Sequence, residues 1–366
     1  MPASTNFILR DDEVGRMSVK RHRVLVIGVG SIGERHLRCF QSTGRVDVSF
    51  VEVNPTLRAT IAERYSVANA FDSLDAAMAS PPDIAVICTP APLHIPQATH
   101  FAEAGIPILI EKPLSTTLNG VEELIALVKR RNVTASVAYV YRAHPVLASM
   151  REALHSGRFG APVEIIAVGG QHFPTYRPAY RTIYYRDRAT GGGAIQDALT
   201  HVFNAAEWLV GPMDRVVADA SHQVLEGVEV EDTAHVLARH GNVMGTYTLN
   251  QYQAPNEGHI TVVCERGTVR FEIHNRLWKW MEKPETAWTE EALTVLERDT
   301  LFVAQANAFL DAVEGKCPVA CTIEEAYQTL RVNLACLASL ESGRWESTRA
   351  NVVDADLAAA AAERAG

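Results

Sequence analysis

The 366-residue chain is poor in several features, and each shortage excludes a class of protein. No apolar run approaches the length of a bilayer-crossing helix, so no membrane partner is expected. Basic residues are outnumbered, 34 Lys and Arg against 43 Asp and Glu, for a net charge of −9. Nucleic-acid binding depends on clustered positive charge and is not expected either. Only six cysteines occur, at 39, 88, 264, 317, 321 and 336. Cys317 and Cys321 have three residues between them, the wrong spacing for a redox pair, and no His/Cys set completes a zinc site. No metal is expected, and unpaired structural thiols suit a reducing cytoplasm. The first 22 residues carry Asp11, Asp12 and Glu13 and no apolar stretch, which argues against a secretory signal. Charged residues are 21% of the total, too few for a disordered chain, while 47% are hydrophobic. A chain of this length buries roughly three-quarters of its unfolded surface and suggests two domains.

From Arg23 onward, short β-branched runs alternate with helical periods. Strands are expected at Val24–Gly28, Val46–Glu52, Ile84–Cys88, Ile108–Glu111 and Thr134–Tyr139, with helical segments between them. Strand–helix–strand repetition predicts an α/β domain, a Rossmann-type parallel sheet covered on both faces. After Pro145 the texture changes. A helix at Val146–His155 precedes a strand near Val163–Gly169, a Tyr/Arg-rich loop at 176–188 and a helix after Gly191–Gly193. Alternating stretches at Thr233–Arg239, Val243–Asn250, His259–Glu265 and Thr268–Ile273 predict a mostly antiparallel open sheet in an α+β domain. Thr322 and Glu325 form a capping box for a helix over 322–342, expected to pack back on the first domain. The boundaries read as an extension over 1–22, an α/β domain over 23–143, an α+β domain over 144–345, and a tail over 346–366.

Gly28-Val29-Gly30-Ser31-Ile32-Gly33 follows the first strand and opens a helix, the context that makes this glycine pattern informative. Gly28 permits the tight turn, Gly30 lets a pyrophosphate approach the backbone, and Gly33 allows close helix–strand packing. Amides at the helix start then face the negative charge. Glu52 ends the second strand, where a carboxylate accepts ribose hydroxyls. It repels a 2′-phosphate, and the adjacent Val53 and Asn54 supply no positive charge, so NAD is preferred over NADP.

Ile108-Leu109-Ile110-Glu111-Lys112-Pro113 runs an apolar strand into two opposite charges and a proline. Strand ends at the carboxyl edge of a parallel sheet face the ligand crevice, which aims Lys112 at the cofactor. Taken alone, the pair also reads as a solvated Glu–Lys contact. On the helix Ala194–Leu209, Ile195, Leu199, Val202, Phe203, Ala206 and Leu209 form an apolar stripe, with Asp197, His201, Asn204 and Trp208 opposite. Asp197 and His201, four apart, would exchange a hydrogen bond that orients a general base. An ordinary exposed Asp–His pair remains the alternative.

The glycine loop, Thr89-Pro90 with His94, the tripeptide Glu111-Lys112-Pro113, and Arg142 with Pro145 together resemble the Gfo/Idh/MocA oxidoreductase family, from about Arg23 to Arg344. The resemblance implies that Lys112 contacts substrate hydroxyl and cofactor ribose, that His201 accepts the proton, and that Asp197 is its partner or a substrate ligand. It places Gly28, Gly30, Ser31, Ile32, Gly33, Glu52, Thr89, Pro90, His94, Glu111, Lys112 and Pro113 at the cofactor. Arg142 falls to the substrate, and the loop donors Tyr180, Arg181 and Tyr184 are added as candidates. Leu199, Asn204 and Val140 depart from residues often found in relatives, which bears on substrate identity. The implied activity is hydride transfer between NAD(P) and a secondary alcohol or ketone of a sugar, cyclitol or related polyol, in a homodimer or homotetramer. Two alternatives stay open: glycoside hydrolysis or epimerisation through transient oxidation, and a non-enzymatic NAD-binding sensor.

Overall fold

A computed structural model of the chain describes residues 21–292 and 299–349. Most of the expected extension and tail lies outside the described residues. The first six strands are β1 (His22–Ile27), β2 (Val46–Val51), β3 (Ala70–Phe71), β4 (Ile84–Ile87), β5 (Ile108–Ile110) and β6 (Ala135–Val137). They form one all-parallel sheet in the order β3-β2-β1-β4-β5-β6. Connections run outward in both directions from the β1–β4 pair, which opens a crevice at the carboxyl ends of those strands.

Strand alternation explains how the sheet is buried. Val24 and Val26 enter one apolar cluster, while Leu25 and Ile27 enter another on the opposite face. The cluster around Val24 includes Leu37 and Phe40 of the helix Ser31–Ser42, and Ala306, Phe309 and Leu310 of the helix Thr300–Val313. The other face takes Phe101, Leu124 and Leu127 from the crossover helices, together with Ile323, Ala326 and Leu330. The last three belong to the first half of the helix Ile323–Ser342, which packs on the first sheet. Its second half, at Val332, Ala335 and Cys336, packs on the second sheet. The capping box is formed in both directions between Thr322 and Glu325.

The other strands are β7 (Pro162–Gly170), β8 (Arg215–Ser221), β9 (Thr233–His240), β10 (Val243–Asn250), β11 (Glu257–Cys264), β12 (Gly267–Glu272), β13 (Leu277–Met281), β14 (Thr289–Ala292) and β15 (Glu346–Ser347). They make a nine-stranded sheet in the order β14-β13-β12-β11-β7-β10-β9-β8-β15. Among the described residues, only the β7–β10 pair of this sheet is parallel. The helices Pro145–His155, Thr200–Val210 and Ile323–Ser342 cover one face. The opposite face carries exposed Leu237 and Met244. Residues 346–349, expected in the tail, are part of the fold. β15 pairs with β8, and Thr348 N donates to the Asp214 carbonyl.

Arg142 stands at the junction of the two halves. Its Nε donates to Asn204 Oδ1 at 2.8 Å, its Nη1 to Glu325 Oε1 at 2.8 Å, and its guanidinium lies over Trp208. The side chain is 3% exposed, and its Nε and Nη1 donors join Asn204 and Glu325 across this junction.

His144 packs edge-on against Phe271, and its buried Nδ1 has no partner among the described residues. Burial lowers its pKa from 6.5 to about 4. The unfolded chain therefore binds a proton below pH 6.5 that the folded chain refuses, and stability falls as pH drops toward 4. At pH 5 this one group costs about 2 kcal/mol relative to neutral pH. Urea denaturation of His144→Phe should show that part of the acid loss removed; an unchanged difference between pH 7 and pH 5 would contradict the assignment.

Candidate active site

The glycine loop leaves β1 and enters the helix Ser31–Ser42 with Gly30 as a cap that lacks a side-chain bond. A Cβ on Gly33 would lie 1.9 Å from the Gly28 carbonyl oxygen, so helix and turn approach as only glycine allows. A Cβ on Gly30 would meet nothing within 4 Å. The loop therefore leaves open space at the helix amides of Ser31 and Ile32, the shape a pyrophosphate needs. Glu52 bridges the turn: its Oε2 accepts from Val29 N at 3.1 Å and its Oε1 from Asn54 N at 2.9 Å. Arg58, from the next helix, donates to the Glu52 carbonyl at 2.6 Å. This is a cation that the reading of Val53 and Asn54 did not include.

Across the crevice, the β4 and β5 ends are tied together by His94. Its ring nitrogens lie 2.8 Å from the Thr89 carbonyl oxygen and 3.0 Å from that of Pro113. His94 is buried, so its contacts are with the loops carrying Thr89-Pro90 and Pro113. Thr89 Oγ1 donates to Gln97 Oε1. Glu111 is also buried. Its Oε1 lies 2.6 Å from His36 Nε2, and its Oε2 accepts from Lys112 N at 3.0 Å.

Lys112 reaches over to the second domain. Its Nζ donates to the Asp197 carbonyl oxygen at 3.0 Å and to Asp197 Oδ1 at 3.1 Å. Tyr184 Oη donates to the same Oδ1 at 2.5 Å, and Arg177 Nη1 to Oδ2 at 3.3 Å. The Asp197 side chain is 1% exposed. Burial alone would raise its pKa, but the Lys112 and Arg177 charges and the Tyr184 hydroxyl outweigh it and hold the group well below the usual carboxylate range.

The Asp197–His201 hydrogen bond expected from four-residue spacing is not formed. Ala194–Leu199 is a π-helical turn, with more residues per turn than an α-helix, and Asp197 is turned to Lys112. The Glu231 carboxylate packs against the start of that turn. Gly193 has φ near +92°, and a Cβ there would meet Glu231 Oε1 at 2.4 Å. Glu231 in turn accepts from Ile195 N and from Arg188. His201 follows in the α-helix Thr200–Val210, with its ring beside Tyr139 and Tyr141. Its buried Nδ1 has no partner among the described residues. Burial first, then the Lys112 charge, push its pKa well below the ordinary value, while Asp197 opposes the shift.

Of the loop candidates, Tyr184 joins the cluster, whereas Tyr180 and Arg181 do not. Tyr180 is 1% exposed among Phe173, Tyr185, Leu225, Val228 and Val230, and donates to the Glu226 carbonyl. Arg181 Nε donates to the Tyr180 hydroxyl, and its Nη2 pairs with Glu226. Asn204 and Trp208 also leave the crevice, packed beside Arg142. Arg177 was missed as a site residue. It lies 20 positions before Asp197 on an irregular loop, and no periodic pattern marks it.

A profile described as the oxidoreductase family with an NAD-binding Rossmann fold (Gfo/Idh/MocA) matches residues 22–139. The C-terminal domain profile of the same family matches residues 147–270. The chain belongs to the Gfo/Idh/MocA family. A levoglucosan dehydrogenase from Pseudarthrobacter phenanthrenivorans is 31% identical over 48% of this chain and 45% of that protein. That match thus spans about half the relative's length. An inositol 2-dehydrogenase from Rubrobacter xylanophilus is 23% identical over 88% of this chain and 92% of that protein. Among solved structures, levoglucosan dehydrogenase in complex with NADH superposes with a TM-score of 0.83 at 20% identity, covering 90% of this chain and all of that one. At that identity the likeness establishes the fold.

For this Gfo/Idh/MocA member, the charges around His201 can be tested without turnover. Lys112→Met should raise the His201 pKa, because a neighbouring positive charge is lost. Asp197→Asn should lower it further, because a favourable negative charge is lost. Carbon-13 histidine NMR across pH reads both; shifts of the opposite sign would refute this electrostatic arrangement.

Proposed function

We propose that the protein transfers hydride between NAD and a secondary alcohol, or the corresponding ketone, of a sugar, cyclitol or related polyol. The observation that carries this reading is the Lys112 ammonium fixed on Asp197 at the end of β5, near His201 and across from the glycine cradle. The open face at Gly30 and the uncapped helix start fit a dinucleotide pyrophosphate. NAD, when bound, supplies the two-electron acceptor. Glu52 favours NAD over NADP, and Arg58 beside it is engaged on the Glu52 carbonyl oxygen.

The chain's own groups then divide the work. Lys112 has three N–H donors and spends two contacts on Asp197, which leaves one for the substrate oxygen. Its charge favours negative charge developing on that oxygen. His201, kept neutral by burial and by Lys112, accepts the hydroxyl proton. Asp197 acts on Lys112, holding its ammonium in place. Residues 23–143 serve the nucleotide and 144–345 the substrate in this reading. We place the protein in the cytoplasm, in keeping with its six free thiols.

Turnover of a cyclitol and aldose panel, followed at the reduced-nicotinamide band with NAD and with NADP, tests the proposal. Lys112→Met and His201→Asn should each lower kcat by about 10²–10⁴-fold. Near-normal rates in both variants would remove the assignment. The open face of the nine-stranded sheet, with Leu237 and Met244 exposed, is read as the contact between copies of a homodimer or homotetramer. Light scattering should find an oligomer that Leu237→Asp weakens; a monomeric native protein would exclude it.

A further inference from the structure

Arg177 does more than neutralise Asp197. Its guanidinium lies over the ring of buried Phe173, with 5.3 Å from Cζ to the ring centroid. Phe173 is itself set among Tyr180 and Tyr185 in a small apolar cluster under the loop. One nitrogen, Nη1, is anchored on Asp197 Oδ2. The cation–π contact and the anchor together restrain the group. The Nε and Nη2 donors make no hydrogen bond to any described residue, and half of the side chain is exposed, 51%. By contrast, the acidic groups nearby are buried and engaged: Asp197 at 1% and Glu111 at 5% side-chain exposure. A molecule entering the crevice therefore meets an oriented, half-satisfied guanidinium, whose parallel N–H pair matches a planar carboxylate.

We propose that the substrate of this site is a hydroxylated acid, a polyol or sugar bearing a carboxylate that Arg177 binds through Nε and Nη2. The inference rests on the dehydrogenase reading above and narrows its substrate class. Lys112 and Arg177 hold opposite oxygens of one Asp197 carboxylate, so the reacting hydroxyl and the acid group lie close together on the substrate. Tyr184, 40% exposed and bonded to Asp197, lines the same side of the crevice.

Calorimetry of the NADH-bound protein provides the test, with hexuronates, aldonates and tartrate set against neutral hexoses and inositols. At least one acid should bind about tenfold or more tightly than its neutral counterpart, as expected when a charged hydrogen-bonded pair is added. Arg177→Gln should reduce that acid-to-neutral ratio about tenfold or more, and Arg177→Lys should restore only part of it. Neutral polyols binding or turning over while every acid fails would sink the carboxylate subsite and leave the dehydrogenase reading standing. An Arg177→Gln variant that weakens acid and neutral ligands alike would assign Arg177 to Asp197 alone. If neither class binds and no hydride transfer occurs, the dehydrogenase reading falls first and the substrate class with it.

Discussion

Removing the Asp197 carboxylate from water is unfavourable unless charged donors replace the lost hydration. Three donors replace it, two of them charged: Lys112 at the end of a first-domain strand and Arg177 on the loop before the π-turn, joined by the neutral Tyr184 hydroxyl of that same loop. The ammonium is thus located by a residue of the opposite domain. Separating the domains at this point would leave a charge buried without its principal partner. The crevice and the domain interface are stabilised by the same contact, which explains how a long, flexible lysine can present one donor reproducibly.

The π-turn is what frees Asp197 for this role. An ordinary α-helix through 194–209 would stack Asp197 against His201 and divert the carboxylate from Lys112. Glu231 prevents that by taking the amide of Ile195 while its other oxygen is held by Arg188. Gly193 is required because any side chain there would occupy the space of that carboxylate. The triple glycine is therefore a packing device for the turn, and the imidazole is left with its Nδ1 unclaimed among the described residues.

Local signals were legible where one segment sets its own geometry. The glycine loop with its flanking strand and helix, the strand entering Glu111-Lys112-Pro113, and the Thr322–Glu325 capping box all follow from spacing of a few residues. Contacts across long separations were not. His36 with Glu111, Arg177 with Asp197, and the burial of Tyr180 depend on how loops fold over one another, and composition does not encode that. The Tyr/Arg-rich loop shows why: Tyr184 and Tyr180 are four residues apart, yet one enters the site and the other supports a core. The edge strand β14, Thr289–Ala292, is wholly exposed and lacks an apolar pattern, so only its ladder with β13 defines it. The helix Thr300–Val313 likewise earned no expectation, although it buries one face of the first sheet.

That helix and the first half of Ile323–Ser342 each cover a different face of the six-stranded sheet, although both are encoded near the end of the chain. During synthesis, the nucleotide-binding half therefore cannot complete one apolar layer until translation has passed Leu310, or the other until it has passed Leu330. A fragment ending at Ala143 would carry the whole glycine motif and all six strands while leaving apolar surface uncovered on both sides. Exchange of modules between relatives must accordingly move these C-terminal helices with the N-terminal half, because the boundary along the sequence is not the boundary in space.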